Sequence, residues 1–156
     1  MTAAAKYVPT NIRGPLPDDE GFIYNSWLKS LHESSPWAKY IRSQIFYNNH
    51  KKVLAKILSE SGVLIACNPE MPDQIFGYGV YQPSSGGVAV IHYLYVKHPY
   101  RKLGIGKELF RQMLALSDHN TDLPAVASHI ADPSVWWDIK DKFNLVYNPY
   151  VIGALE

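Results

Sequence analysis

The stretch Ile91-His92-Tyr93-Leu94-Tyr95-Val96-Lys97-His98-Pro99-Tyr100-Arg101-Lys102-Leu103-Gly104-Ile105-Gly106-Lys107-Glu108-Leu109-Phe110 decides how this chain is read. Its first six residues are mostly β-branched or aromatic, as a buried strand requires. From Ile105 the apolar positions Leu109, Met113 and Leu116 step at helical spacing. A basic loop bearing two glycines joins strand to helix. Gly104 and Gly106 remove side chains where a ligand must approach the backbone, and the N–H groups of a helix's first turn have no partner within the helix. Anions bind readily there, and Arg101, Lys102 and Lys107 add positive charge that suits a pyrophosphate.

Two common phosphate-binding patterns fail on the letters. The dinucleotide fingerprint needs a third glycine where Leu109 stands, and the P-loop needs Ser or Thr where Glu108 follows Gly106-Lys107. Outward from the motif, Val63 to Cys67, Ile75 to Gln82 and Val88 to Val96 read as an antiparallel meander, with turn material at Asn68-Pro69 and Ser84-Ser85-Gly86-Gly87. Before it, Lys6 to Arg13 reads as a first strand. Asp18, Asp19 and Glu20 then open a helix carrying Phe22, Ile23, Trp27, Leu28 and Leu31. Pro36 starts a second helical stretch with Trp37, Tyr40, Ile41 and Ile45 on one face. Asn48-Asn49 interrupts it, and Val53 to Leu58 resume it until Gly62 caps the end. After the motif's helix, Ala125 to His129 is a short strand. Asp132-Pro133 starts a helix striped by Trp136, Ile139 and Phe143, and Leu145 to Leu155 is a last strand. The expected fold is α/β, a mixed, mostly antiparallel sheet flanked by helices.

The 156 residues suit one domain spanning the whole chain, residues 1–156. With 47% hydrophobic and 19% charged residues, no segment has the composition of a disordered tract. A formal charge of +1 offers no broad basic field, so nucleic acid is not expected as a partner, and any anion site must be local. No apolar run approaches a membrane span, and Cys67 alone cannot form an internal disulfide; both features lead to the expectation of a cytoplasmic protein without membrane contact. The final strand could pair within the domain or across a homodimer.

The letters Arg101, Gly104 and Gly106, behind an apolar strand ending at Val96, resemble the Arg/Gln-x-x-Gly-x-Gly/Ala signature of the GNAT N-acetyltransferases. The resemblance covers the order of elements, with letter-by-letter agreement only over Ile91 to Phe110. It implies acetyl-CoA as cofactor and direct transfer of its acetyl group to a primary amine, either a small amine or a protein lysine or N-terminus. In that family the strand's backbone meets the pantetheine arm and the loop amides meet the pyrophosphate. These roles carry over to Leu94, Tyr95 and Val96, and to Arg101, Lys102, Leu103, Gly104, Ile105, Gly106 and Lys107. Asp132 and Ser134 occupy the loop that often adds a cofactor contact, though capping explains them as well. No metal is called for.

Acetyl transfer needs a neutral amine, whereas a lysine-like amine with a pKa of about 10.4 is almost wholly protonated at neutral pH. A base is required. His92 is the first candidate, since imidazole titrates near neutrality and arylalkylamine N-acetyltransferases, by resemblance, use a histidine at this offset from the motif. Its alternative role is a neutral histidine packed in an apolar strand. His129, at the end of the next strand, is the second candidate. The glutamate that serves as base in many relatives has no counterpart from Val88 to Val96. The tyrosine that commonly serves as general acid is replaced by Lys140, which leaves Tyr147 or Tyr150 as substitutes. The competing readings are a noncatalytic acyl-CoA-binding or partner-binding module and a generic nucleotide-phosphate site.

Overall fold

The computed structural model describes residues 8–84, 86–129 and 143–151. Strands β1 (Asn11–Arg13), β2 (Gly62–Asn68), β3 (Met71–Pro83), β4 (Ala89–Val96), β5 (Ala125–Ala127) and β6 (Leu145–Tyr147) form one sheet in sequence order. The pairings from β1 to β4 are antiparallel, and β4–β5 and β5–β6 are parallel. This is the mixed, mostly antiparallel sheet the sequence leads one to expect. Helices α1 (Asp19–Ser34) and α2 (Ser43–Glu60) cover one face, where Trp27, Leu31, Leu54 and Ile57 pack with Ile65, Tyr78, Val80 and Tyr93. Helix α3 (Ile105–Leu116) covers the other through Leu109, Phe110 and Met113, against Ala66, Phe76 and Ile91. Among the described residues no helix is long and apolar enough to cross a membrane.

Several boundaries differ from the sequence reading. The segment after Pro36 is a 3₁₀ turn, Ala38–Tyr40, and Ile41 and Arg42 are extended before α2 begins. Tyr40 and Ile45 therefore face solvent, and Trp37 is half exposed rather than part of the core. Helix α2 runs unbroken through Asn48-Asn49. There the Asn49 amide donates to the Ile45 carbonyl at 2.8 Å, so its polar group is satisfied within the helix. Gly62 is the first residue of β2 rather than a cap: it pairs with Tyr81 of β3, whose ring covers it and leaves no room for a Cβ. Strand β1 is shorter than expected, with residues 1–7 outside the described residues, and β6 ends at Tyr147. The helix expected after Asp132-Pro133 falls largely on residues 130–142, also outside them.

The start of α1 is fixed by a buried ion pair. Arg13 donates to both Asp19 oxygens, at 2.7 and 3.1 Å, and to the Pro72 carbonyl, while the Leu16 amide donates to Asp19. Arg13 hydrogen bonding, foremost, holds the Asp19 carboxyl below its ordinary pKa. A depressed carboxylate contributes stability that is present above its unfolded pKa of about 3.9 and is lost as pH falls through the lower folded value. Asp19→Asn is therefore expected to cost about 2 kcal/mol at neutral pH. The stability gap to the wild type, followed by urea denaturation, should close in strong acid. A gap independent of pH would show that the carboxylate's charge does not matter.

Candidate active site

Strand β4 changes character halfway along. Val80 on β3 faces Tyr93, but the next residue, Tyr81, faces Ile91, which leaves His92 as an extra residue, a β-bulge. On its other edge β4 pairs with β5 at Val90 and Ile91, and the Ser128 amide donates to the Ile91 carbonyl at 3.2 Å. Beyond that point β5 ends, and from Tyr93 to Val96 the strand has β3 on one side and no described strand on the other. The sheet thus forks where the backbone of Leu94, Tyr95 and Val96 is offered on one edge. Gly77 keeps β3 close to it, since a Cβ there would meet the Tyr95 carbonyl oxygen at 2.4 Å.

The fork leads into the loop picked out from the sequence. A 3₁₀ turn at His98–Tyr100 is followed by Arg101, whose Nε donates to the Val96 carbonyl at 2.8 Å and ties the loop back to β4. Lys102 adopts φ 64° and Gly104 φ 86°, the left-handed turn that precedes α3. Glu108 N–H to Gly104 C=O, 3.1 Å, is the first intrahelical bond, so the amides of Ile105, Gly106 and Lys107 have no acceptor within the helix. A Cβ on Gly104 would meet nothing within 4 Å, which marks open space in front of the helix end. Arg101, Lys102 and Lys107 are exposed around it. The one acid in the first turn, Glu108, is held by Arg111 and Gln112, whose hydrogen bonds keep its pKa down at about 2. Ile105 is buried and Leu103 half-buried against the α3-side core, so Ile105 is placed to meet a ligand chiefly through its backbone. Asp132, Ser134 and Lys140 lie outside the described residues.

At the fork lies a cavity of about 250 Å³, lined by Leu31, Trp37, His50, Val53, Ser128, His129, Tyr147 and Pro149. His129, the second candidate base, faces it, and His92, the first, does not. His92 is 1% exposed and bonded through both ring nitrogens, Nδ1 to Ser128 Oγ at 2.8 Å and Nε2 to Gln82 Oε1 at 3.0 Å. Ser128 Oγ in turn contacts His129 Nδ1 at 2.8 Å, and His129 Nε2 meets His50 Nε2 at 3.0 Å. Burial lowers the pKa of His92 and His50 to about 4 and of His129 to about 3, so all three are neutral at pH 7. Of the substitute acids, Tyr147 lines the cavity, whereas Tyr150 is 85% exposed and does not.

Trp27 fixes this constellation from behind. It is fully buried, stacks on Tyr93 at 4.7 Å and 8°, and meets His129 edge to face at 5.3 Å. Ser26 and Ser30 pin α1 to the sheet through the hydroxyls of Tyr78 and Tyr93. Sequence reasoning missed His50, Gln82 and Ser128. His50 did carry a signal, since Phe46, His50, Leu54 and Ile57 form the buried stripe of α2, but a helix read as broken at Asn48-Asn49 hides it.

Known structures share this architecture. A candidate acetyl transferase of Pyrococcus furiosus superposes with a TM-score of 0.63 at 17% identity, covering 85% of this chain and 91% of its own. A candidate acetyltransferase of Clostridium difficile 630 gives 0.58 at 16%, covering 90% and 91%. The GCN5-related N-acetyltransferase of Rhodopseudomonas palustris gives 0.51 at 18%, covering 74% and 69%. At these identities the likeness concerns the fold alone. None of the curated proteins matches this sequence. The model of the Acetyltransferase (GNAT) family matches residues 22–133, a span that runs from α1 through the fork, the glycine loop and the imidazole-lined cavity, and the chain belongs to that family.

Proposed function

We propose that this protein is an acetyl-CoA-dependent N-acetyltransferase that moves the acetyl group directly to a primary amine held in the imidazole-lined cavity. The observation that carries the reading is the fork, in which an edge of β4 with no described partner strand runs from the end of β5, where Ser128 and His129 line the cavity, toward the start of α3, whose first amides have no acceptor within the helix. The edge from Leu94 to Val96 offers backbone groups for a pantetheine amide. Ile105, Gly106 and Lys107 offer N–H groups, and Arg101, Lys102 and Lys107 offer charge, for a pyrophosphate. Bound there, acetyl-CoA supplies the thioester to be attacked. A backbone N–H of β4 at the fork stabilises the charge that develops on its carbonyl oxygen. His129 faces the acceptor, and His92 stands behind it through Ser128. Leu31 and Val53 give the cavity an apolar inner side, and Trp37, Tyr147 and Pro149 are exposed, which leaves a way in for the amine.

Calorimetric titration with acetyl-CoA, with ATP as control, tests the cofactor, and release of free thiol across a panel of small amines and lysine peptides tests the chemistry. Micromolar binding of acetyl-CoA and thiol release with at least one primary amine are expected. Binding without turnover on any amine would turn the reading to a noncatalytic acyl-CoA-binding module. A preference for ATP would overturn the acyltransferase reading altogether.

A further inference from the structure

The polarity of the histidine chain follows from its inner end. Gln82 Oε1 can only accept, and it receives both His92 Nε2 and, at 3.4 Å, Ser61 Oγ. Neutral His92 therefore carries its proton on Nε2 and has a bare Nδ1, to which the Ser128 hydroxyl donates. That hydroxyl has one proton and has spent it, so the contact with His129 is Nδ1–H donating to Ser128 Oγ. His129 then has a bare Nε2, which accepts from His50 Nε2–H. One ring nitrogen of the six is left with an uncommitted lone pair: Nδ1 of His50, on a ring that lines the cavity and has no other hydrogen bond among the described residues.

Resting on the acetyltransferase reading above, we propose that His50 of α2 is the catalytic base that takes the acceptor's proton, and that His92 is the inner store to which the chain relays it. The atoms balance. An ammonium gives one proton to His50 Nδ1, and His50 passes its Nε2 proton to His129 Nε2. His129 passes its Nδ1 proton to Ser128, and Ser128 passes its own to His92 Nδ1. His50, His129 and Ser128 end neutral and His92 ends as an imidazolium with Nε2–H still on the Gln82 carbonyl. The freed amine lone pair forms the C–N bond as the C–S bond breaks. Of the two protons left on nitrogen, one goes to the departing thiolate and one stays on the amide. After product release the stored proton leaves by the same route to solvent.

The surroundings weaken the ammonium's hold on its proton, while the same burial lowers the basicity of the imidazoles. Around His50 the described cavity lining holds Leu31 from α1, Trp37 from the 3₁₀ turn, Ser128 and His129 after β5, and Tyr147 and Pro149 at and after β6, with no carboxylate to stabilise an ammonium. The burial that keeps the imidazoles neutral also lowers the pKa of an amine brought among them. The stack of His50 on Phe46, 5.1 Å and 10°, fixes the ring plane so that Nε2 stays on His129.

Long-range proton–nitrogen NMR of the wild-type protein at neutral pH reads the tautomers without any turnover. Protons on Nε2 of His50 and His92 and on Nδ1 of His129 are expected, and a His50 protonated on Nδ1 would overturn the proposal. His50→Gln keeps a donor for His129 but has no ring base. It should bind acetyl-CoA as the wild type does yet lose about 10²- to 10⁴-fold in turnover, with the deficit narrowing as pH rises toward the amine's own pKa. Wild-type thiol release with an unimpaired His50→Gln would overturn the role of His50 alone. Wild-type protein that releases no thiol with any amine overturns the acetyltransferase reading, and the base with it.

Discussion

Trp27→Ala should lose about 3–5 kcal/mol of unfolding free energy, the range for truncating a fully buried tryptophan. The indole is completely buried, is stacked on Tyr93 and is packed edge to face on His129. Its removal would leave a void between α1 and β4, which the Ser30–Tyr93 hydrogen bond helps hold at their present spacing. The indole N–H has no hydrogen-bond partner among the described residues and already carries the cost of an unsatisfied buried donor. Trp27→Phe should therefore cost clearly less than Trp27→Ala, since it keeps an aromatic face for Tyr93 and removes that donor. Urea denaturation of the two variants checks this. An alanine variant within about 1 kcal/mol of the wild type would mean that the site collapses freely and that Trp27 does not brace the histidines.

Arg101→Ala combined with Gly104→Glu should weaken acetyl-CoA binding by at least about 100-fold. Loss of a charge-assisted hydrogen bond removes about 1.5–3 kcal/mol of binding free energy, and a glutamate side chain at position 104 fills the open space in front of the helix start. A carboxylate also repels the phosphates a helix start would hold. With about 1.4 kcal/mol per tenfold change, two to three orders of magnitude follow. A Cβ at position 104 would meet nothing within 4 Å, but the positive φ there strains any other residue, so the thermal transition should fall by about 2–8 °C while the protein stays folded. Retained affinity in calorimetry would place the cofactor elsewhere.

The sequence carried the sheet and α3 well because there the patterns are unmixed. The meander alternates or runs apolar between glycine and proline turns, and α3 follows a loop that only Gly104 can close at its positive φ. It was less informative before the sheet. Pro36 and a row of apolar residues look like a helix, yet Ile41 and Arg42 are extended, and tertiary burial of Phe46, Leu54 and Ile57 carries α2 through two asparagines of poor helix propensity. The candidate site split along the same line. The proposed cofactor loop is local in sequence and could be read as a string. The histidine chain joins positions 50, 82, 92, 128 and 129 across α2, β3, β4 and the end of β5, and only the fold brings them within hydrogen-bonding distance.

The bulge at His92 is also a change of parity. Before it, the odd-numbered Ala89 and Ile91 face α3; after it, the odd-numbered Tyr93 and Tyr95 face α1 and α2, and the even-numbered Leu94 and Val96 face α3. Pairing His92 regularly with β3, instead of bulging it out, would make the ladder more even and the protein worse. Every side chain downstream would exchange sides, with two tyrosines driven under α3 and Leu94 and Val96 set against Trp27 and Phe22. The irregularity is what allows a single strand to serve a histidine chain at one end and the basic glycine loop at the other while keeping both cores apolar.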